Sequence, residues 1–301
     1  MSVASRFAVE EASMRRVLAT FVAAIVMVIF VPSVSAQAAG YGSYVALGDS
    51  YTSGSLIPHQ VDLLCTRSNR NYPSLVAQAI ASSGFTDVSC GGATTEHMTT
   101  SQFGPLTTPQ FDALRADTDL VTVGIGGNDI PFAEVVVTCA TFGLGSPYGS
   151  PCKDHYNRGG SDQLAEQVRA VGPKVGAVLT GIRDRSPSAE IVLVGYPTIM
   201  PDSGGSCWPL VPISAGDAPY LRDATKLLND VLAEQATAYG ATFVDTYRSS
   251  IGHDMCQKPG VKWVEGILLT SPAAPIHPNA LGARNQADQV LAALTGSPAL
   301  T

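Results

Sequence analysis

Several short motifs that identify common enzyme classes are missing from this sequence. There is no C-x-x-C and no H-E-x-x-H spacing, so nothing favours a zinc site. There is no G-x-S-x-G, the turn that carries the nucleophile of ordinary α/β-hydrolases. An Asp-x-His, which metallophosphoesterases use to bind their metals, is missing as well. The sequence therefore favours neither a metalloenzyme nor an ordinary α/β-hydrolase.

Clustered positive charge is also missing, because no run of Lys or Arg occurs after residue 36. The whole chain carries a net charge of −7, and this becomes −8 when the first 36 residues, with three arginines and two glutamates, are removed. Nucleic acids and anionic membrane surfaces bind proteins through clustered positive charge, so we expect neither as the main partner. No linker, internal repeat or low-complexity stretch divides residues 37–301, which predicts a single domain.

Residues 1–36 have the pattern of a signal peptide. Arg15-Arg16 precedes the apolar run VLATFVAAIVMVIFVPSV, and Val34-Ser35-Ala36 has the small residues that signal peptidase accepts. The pattern predicts a secreted protein that begins at Gln37 and is not inserted in a membrane after cleavage. Met14 is a second candidate for the start of translation. The alternative is an uncleaved anchor, since the run approaches the roughly 18–20 residues that span a bilayer.

All six cysteines follow the predicted cleavage site. An even number of cysteines in an oxidising compartment favours three disulfides, although six cysteines allow 15 pairings. Pairing in chain order closes local loops and is the pairing that we predict: Cys65–Cys90, Cys139–Cys152 and Cys207–Cys256.

Short apolar runs alternate with longer stretches of helical spacing. The runs predict buried strands at 44–47, 87–90, 120–125, 190–196 and 242–247. The longer stretches predict helices at 72–84, 163–187 and 220–240. This alternation predicts an α/β fold whose mostly parallel sheet is covered by helices on both faces. Segments rich in Pro, Gly and Cys predict long surface loops at 55–71, 139–160 and 201–218.

Polar groups suited to acyl transfer follow the first three predicted strands. Ser50 ends the turn Gly48-Asp49-Ser50, Gly92 lies in CGGATT and Asn128 ends GIGGN. Ligands of such sheets bind beyond the carboxyl ends of the strands. The N–H groups of Ser50 and Gly92 and the side-chain amide of Asn128 can supply three donors to an oxyanion. The alternatives are that Ser50 only caps a helix and that the glycine pairs only turn the chain.

A serine nucleophile needs a base, and His277 is the strongest of five candidates. His277 immediately precedes Pro278, and proline is favoured at the first position of a helix. The sequence therefore predicts His277 at the N-cap of the last helix. Capping alone does not require an imidazole, so we predict that His277 is the base.

Together these segments resemble the SGNH hydrolases, also called the GDSL esterase/lipase family. GDSYTSG, GGATT, GIGGND and HPNALG match the four motif blocks of the family in order, with Ser50, Gly92, Asn128 and His277 at the functional positions. The blocks span residues 48–282. The six cysteines and the GHDMC…KWVEGI stretch further resemble the secreted actinobacterial branch.

The resemblance implies a fold, a reaction and a simple set of partners. The fold is a three-layer α/β/α sandwich with a five-stranded, mostly parallel sheet, similar to flavodoxin. The reaction is hydrolysis of a small-molecule or lipid ester: Ser50 attacks the acyl carbon and His277 accepts its proton. We expect a monomer that needs no metal and no organic cofactor.

One position departs from the family pattern. Most members carry an Asp three residues before the histidine, and this chain has Ala274 there. We predict a Ser-His dyad in which the Ala274 carbonyl orients the ring of His277; Asp254 and Asp245 are the rival carboxylates. Asp49 and Asp129 are interpreted as structural, bonded to nearby N–H groups.

Three other functions stay open from the sequence. A polysaccharide O-deacetylase of the same fold would need an open cleft. The only support for a secreted binding protein without activity is the missing Asp at position 274. Acyl transfer to an alcohol is a third possibility, and acyl chain length cannot be read from the loops.

Overall fold

Five parallel strands form the central sheet of the computed structural model, which describes residues 40–296. The predicted signal peptide lies outside these residues. The strands lie in the order β4-β1-β5-β6-β7, and their bounds are β1 Ser43–Gly48, β4 Gly84–Asp87, β5 Leu120–Gly124, β6 Glu190–Val194 and β7 Thr242–Val244. A separate antiparallel pair is formed by β2 Gln60–Asp62 and β3 Arg67–Ser68. The predicted α/β fold with a five-stranded parallel sheet is confirmed.

Helices cover both faces of this sheet. Their bounds are α1 Ser50–Ser53, α2 Tyr72–Ala79, α3 Phe132–Gly145, α4 Pro151–Tyr156, α5 Gln163–Arg185, α6 Asp217–Ala238, α7 Thr246–Ser249 and α8 Ala280–Thr295. Short 3₁₀ turns lie at Thr95–Met98, Gly104–Leu106 and Gln110–Ala113. Because side chains alternate across a strand, Val45 and Leu47 enter the core layer of α5 and α6, while Tyr44 and Ala46 enter the layer of α2 and α8.

The predicted second strand and first helix have different bounds in the structure. The strand lies at Gly84–Asp87 and not at 87–90, and where it ends the Asp87 carboxylate accepts the N–H and hydroxyl of Ser89. The helix ends at Ala79 and not at Gly84, because Ala81 has a φ of +51° that no α-helix continues. Gly84 belongs to β4, where it pairs with Ser43.

The segment 139–160 is more helical than predicted. It contains the end of α3 and all of α4, which the Cys139–Cys152 disulfide joins. The other two disulfides are Cys65–Cys90 and Cys207–Cys256, so the predicted pairing in chain order is confirmed. Among residues 40–296, no helix has both the length and the apolar character needed to cross a membrane.

The strand order reverses direction between β1 and β5, which leaves a crevice at the carboxyl edge of the sheet. The chain passes from β1 outward to β4, then returns to the other side of β1 to form β5. Connections after β1 and β5 therefore leave the sheet in opposite directions, and such a switch point is where α/β sheets bind ligands. Ser50 follows β1 and Asn128 follows β5, so both lie at this point.

Candidate active site

The turn after β1 allows only glycine at its first position. Gly48 has a φ of +145°, and a Cβ there would lie 2.4 Å from Thr52 Oγ1 and 2.5 Å from the Gly124 carbonyl oxygen. Asp49 follows as the N-cap of α1, since its Oδ1 accepts the Tyr51 N–H at 2.9 Å. Ser50 is then the first residue of a very short helix, held at the end of the strand and only 8% exposed.

Ser50 and His277 are in direct contact, although 227 residues separate them. The distance from Ser50 Oγ to His277 Nε2 is 2.7 Å, and His277 Nδ1 lies 2.7 Å from the Pro275 carbonyl oxygen. A carbonyl oxygen can only accept, so the proton of the neutral ring belongs on Nδ1. Nε2 is then free to accept the hydroxyl proton of Ser50.

The prediction that the Ala274 carbonyl orients the ring is wrong, because the acceptor is the carbonyl of Pro275. Ile276 has a φ of +64°, and this left-handed residue reverses the chain between Pro275 and His277. The Ala274 N–H is directed elsewhere and donates to the Ser55 carbonyl at 2.9 Å.

The rival carboxylates are used in other contacts. Asp245 caps α7 by accepting the Arg248 N–H, and Asp254 accepts the Cys256 N–H. Neither has a hydrogen bond to His277 in the described part of the chain.

The predicted N-cap position of His277 is also wrong. The N-cap of α8 is Asn279, whose Oδ1 accepts the N–H groups of Leu281 and Gly282. Asparagine is among the best N-caps because its side-chain oxygen reaches these unpaired donors. His277 therefore lies two residues before the cap, where its ring is free to face Ser50.

Asn128 lies beside Ser50, whereas Gly92 is not among the described residues that line their pocket. Asn128 lines the same pocket as Ser50, and its Nδ2 donates one proton to the Ala93 carbonyl at 2.9 Å. The second proton of that amide is free for a ligand. Gly92 turns the chain after β4 with a φ of +77°. Within residues 40–296, neither the Ser50 N–H nor the Gly92 N–H donates to a protein acceptor.

The two aspartates interpreted as structural make the expected contacts. Asp129 accepts the N–H and hydroxyl of Thr95 and pairs with Lys174 at 3.3 Å. Asp49 accepts the Tyr196 hydroxyl at 2.5 Å besides the Tyr51 N–H. Burial raises the pKa of Asp49 to about 7, although the hydrogen bonds from Tyr196 and Tyr51 favour the charged form.

Sequence reasoning missed two tyrosines that organise the pocket. Tyr196, just after β6, accepts the Gly127 N–H at 2.8 Å and thereby holds the residue before Asn128. Tyr51 donates its hydroxyl to the Ile276 carbonyl at 2.5 Å, and its ring lies 4.9 Å from that of His277. Tyr196 is the last residue of the strand predicted at 190–196, so its position at the same sheet edge was a signal that could have identified it.

The pocket beside Ser50 and His277 has one polar end and one apolar wall. Apolar side chains form that wall: Phe132, Ile199, Leu228 and Ile276. Burial of the imidazole ring lowers the pKa of His277 below its usual value, and the hydrogen bond to the Pro275 carbonyl opposes this effect. His277 is therefore neutral at neutral pH and able to accept a proton.

Comparison with known proteins identifies the family. A model described as the GDSL-like lipase/acylhydrolase family matches residues 46–284. The chain belongs to this family. Membership makes it a carboxylic ester hydrolase of the esterase/lipase type.

Relatives of this GDSL-family chain come from Streptomyces. It is 42% identical to Lipase 2 of Streptomyces coelicolor over 261 residues, which cover 85% of this chain and 87% of that protein. It is 30% identical to an esterase of Streptomyces scabiei, with coverage of 82% and 84%.

Two solved structures are similar to the chain in both fold and sequence. Phospholipase A1 from Streptomyces albidoflavus has a TM-score of 0.66 and 29% identity, covering 85% of this chain and 99% of that one. The extracellular lipase of Streptomyces rimosus has a TM-score of 0.67 and 29% identity, covering 83% and 99%.

Proposed function

We propose that the chain is a secreted lipid esterase that works through a Ser50–His277 dyad. The single observation that carries this proposal is the 2.7 Å contact between Ser50 Oγ and His277 Nε2. A serine hydroxyl becomes a nucleophile when an adjacent base can take its proton, and hydrogen-bond distance is the geometric requirement. The Pro275 carbonyl supports the assignment, because it holds the proton on Nδ1 and leaves Nε2 as the acceptor.

The reaction has two halves. Ser50 Oγ forms a bond to the ester carbon while its proton passes to Nε2 of His277, and the carbonyl oxygen becomes an oxyanion. When the intermediate collapses, the bond to the alcohol oxygen breaks and the alkoxide takes the proton from Nε2. Water then attacks the acyl-serine with the same proton transfers, releasing the carboxylic acid and restoring the hydroxyl.

Three donors are proposed to stabilise the oxyanion. The N–H groups of Ser50 and Gly92 have no protein acceptor within residues 40–296, and the Asn128 amide has one unused proton. Fixed donors aimed at developing charge contribute strongly in a pocket that excludes water. Two fixed neighbours support this role for Asn128: the Ala93 carbonyl, to which its amide donates, and Gly127, which Tyr196 holds.

The dyad lacks the full charge of a triad carboxylate. The Pro275 carbonyl presents only a dipole to the imidazolium that forms on His277. It therefore fixes the orientation of the ring but stabilises the positive charge less than a carboxylate would. The buried location of the ring lowers the pKa of His277, which keeps it in the base form before reaction.

Lipid esters are the substrate class that the pocket and the relatives favour. The wall formed by Phe132, Ile199, Leu228 and Ile276 suits an acyl chain, and proteins similar to this one are named lipase and phospholipase A1. No specific observation favours polysaccharide deacetylation. Secretion is supported by the three disulfides and by similarity to a lipase described as extracellular.

The test is hydrolysis of p-nitrophenyl esters from acetate to palmitate by the purified protein and by Ser50→Ala. We expect turnover by the unaltered protein and loss of essentially all of it in the variant. Ser83→Ala is the matched control, because Ser83 is exposed beside the amino end of β4, at the opposite edge of the sheet. Activity retained by Ser50→Ala would overturn the dyad.

A further inference from the structure

An apolar face of α3 is left open to solvent. Ala133, Val137, Thr141 and Leu144 are all exposed, and positions four and seven residues apart share one side of a helix. Val137 is 54% exposed and Leu144 is 69% exposed. Soluble proteins expose isolated apolar side chains, but three of them on one face of a helix, here Ala133, Val137 and Leu144, require an explanation.

Two neighbouring segments extend this face. Trp208 Nε1 donates to the Gly143 carbonyl at 3.2 Å, which fixes the 207–216 segment against the end of α3. The Ala215 N–H donates to the Pro147 carbonyl, so the loop after α3 is held as well. The segment after residue 265 joins through Gly266, which packs against Val211.

Several large apolar side chains are exposed in these three segments, and we call six of them the apolar rim. Their exposed fractions range from 44% to 81%, and the residues are Val137, Leu144, Tyr148, Trp208, Leu210 and Leu268.

The apolar rim begins at the proposed reaction site. Phe132 and Ala133, the first two residues of α3, line the same pocket as Ser50 and His277. Val137 lies one turn farther along, and the 14 residues of α3 extend over roughly 21 Å. The pocket and the rim are therefore connected along α3.

The rim has no charged residue of its own. No Asp, Glu, Lys or Arg occurs in 135–152, in 203–216 or in 266–276. The acidic residues that adjoin these segments are Glu134, Asp202, Asp217 and Glu265, and Glu265 is fully buried. With a net charge of −7, the chain offers no electrostatic attraction to an anionic surface.

We propose that the apolar rim docks the protein onto the surface of an uncharged or zwitterionic lipid aggregate, from which the pocket takes its substrate. This inference rests on the proposed function, because a lipid ester is the substrate that such a surface presents. Trp208 and Tyr148 have the amphipathic side chains that settle at the boundary between acyl chains and water. The absence of charge in the rim fits a neutral surface, to which the exposed leucines contribute by leaving water.

The test measures binding apart from catalysis. Vesicles of ether-linked phosphatidylcholine contain no carboxylic ester, so sedimentation of the protein with them reports docking alone. We expect the unaltered protein to bind, and the double variant Leu144→Gln, Leu210→Gln to bind at least about tenfold more weakly, since each exposed leucine loses its apolar contact. Leu106→Gln is the matched control, because Leu106 is 72% exposed but belongs to none of the three segments.

Two further measurements keep the inference open to refutation. Trp208 and Trp263 are the two tryptophans of the chain, so Trp263→Phe makes the fluorescence report on Trp208; we expect its emission to shift to the blue on vesicle binding. Adding an anionic lipid is expected to give no gain in binding. No vesicle binding, no shift, equal weakening by Leu106→Gln, or a requirement for anionic lipid would each overturn docking, while the p-nitrophenyl ester assay would still decide the dyad.

Discussion

The hydroxyl of Tyr51 donates a 2.5 Å hydrogen bond to the carbonyl of Ile276, so the residue after Ser50 holds the residue before His277. Ile276 is β-branched and has a φ of +64°, a conformation that costs energy and persists only when its surroundings enforce it. Its N–H is fixed too, by a 3.0 Å bond to the Glu265 carbonyl. The strained residue that directs the Pro275 carbonyl at His277 is therefore held at both of its polar backbone atoms.

Tyr51→Phe is expected to reduce kcat about tenfold and to change KM little. The variant keeps the ring against His277 but removes the hydrogen bond to Ile276, which is worth on the order of 1 kcal/mol. Steady-state kinetics on p-nitrophenyl butyrate, with a thermal melt of each protein, provide the measurement. An unchanged kcat, or a loss of stability that accounts for the lower activity, would contradict a positioning role.

Asn128→Ala is expected to lower kcat by about 10²–10³-fold, the usual effect of removing one oxyanion donor. The reason is the unused amide proton of Asn128 beside Ser50. Asn157→Ala is the control, because Asn157 is half-buried just after α4 and its side-chain amide donates only to the Lys153 carbonyl. If Asn128→Ala retains more than about a tenth of the wild-type kcat, the proposed donor set is wrong.

Asp245→Asn and Asp254→Asn are each expected to keep kcat within about threefold of the wild-type value. Both carboxylates are used in local backbone contacts and neither bonds to His277. Loss of a true triad carboxylate lowers kcat by about 10⁴-fold, so the two possibilities are far apart. A fall of that size in either variant would establish a triad and exclude the dyad.

The acid limb of kcat/KM is expected to have its midpoint below pH 6.5. Neutral His277 is the active form, and burial lowers its pKa from the usual 6.5, so activity rises with pH through that lower value. The measurement uses p-nitrophenyl acetate, which has no ionisable group, at a wavelength where ionisation of the product does not change the absorbance. A midpoint above pH 6.5 would indicate that a nearby negative charge stabilises the imidazolium.

Much of the architecture was predictable because it depends on local patterns. The apolar runs that became β1, β5, β6 and β7 alternate with amphipathic stretches, and burial of those runs gives the parallel sheet. The order of the four motif blocks led to the interpretation of Ser50, Gly92, Asn128 and His277 as one site. The boundary errors at β4 and α2 lie at the Asp87 contacts and at the left-handed Ala81, and neither feature has a clear sequence signal.

The sequence alone determined which groups this protein brings to its site: a serine after a glycine turn, a histidine before the last helix and an amide after the third large strand. Only the tertiary structure decided how the histidine is held. Which carbonyl faces Nδ1 depends on the φ of Ile276, and that angle is enforced by Tyr51 and Glu265, which are 225 and 11 residues away along the chain. A contact between distant residues fixes a backbone reversal that local preference disfavours, so Pro275 and not Ala274 orients the ring.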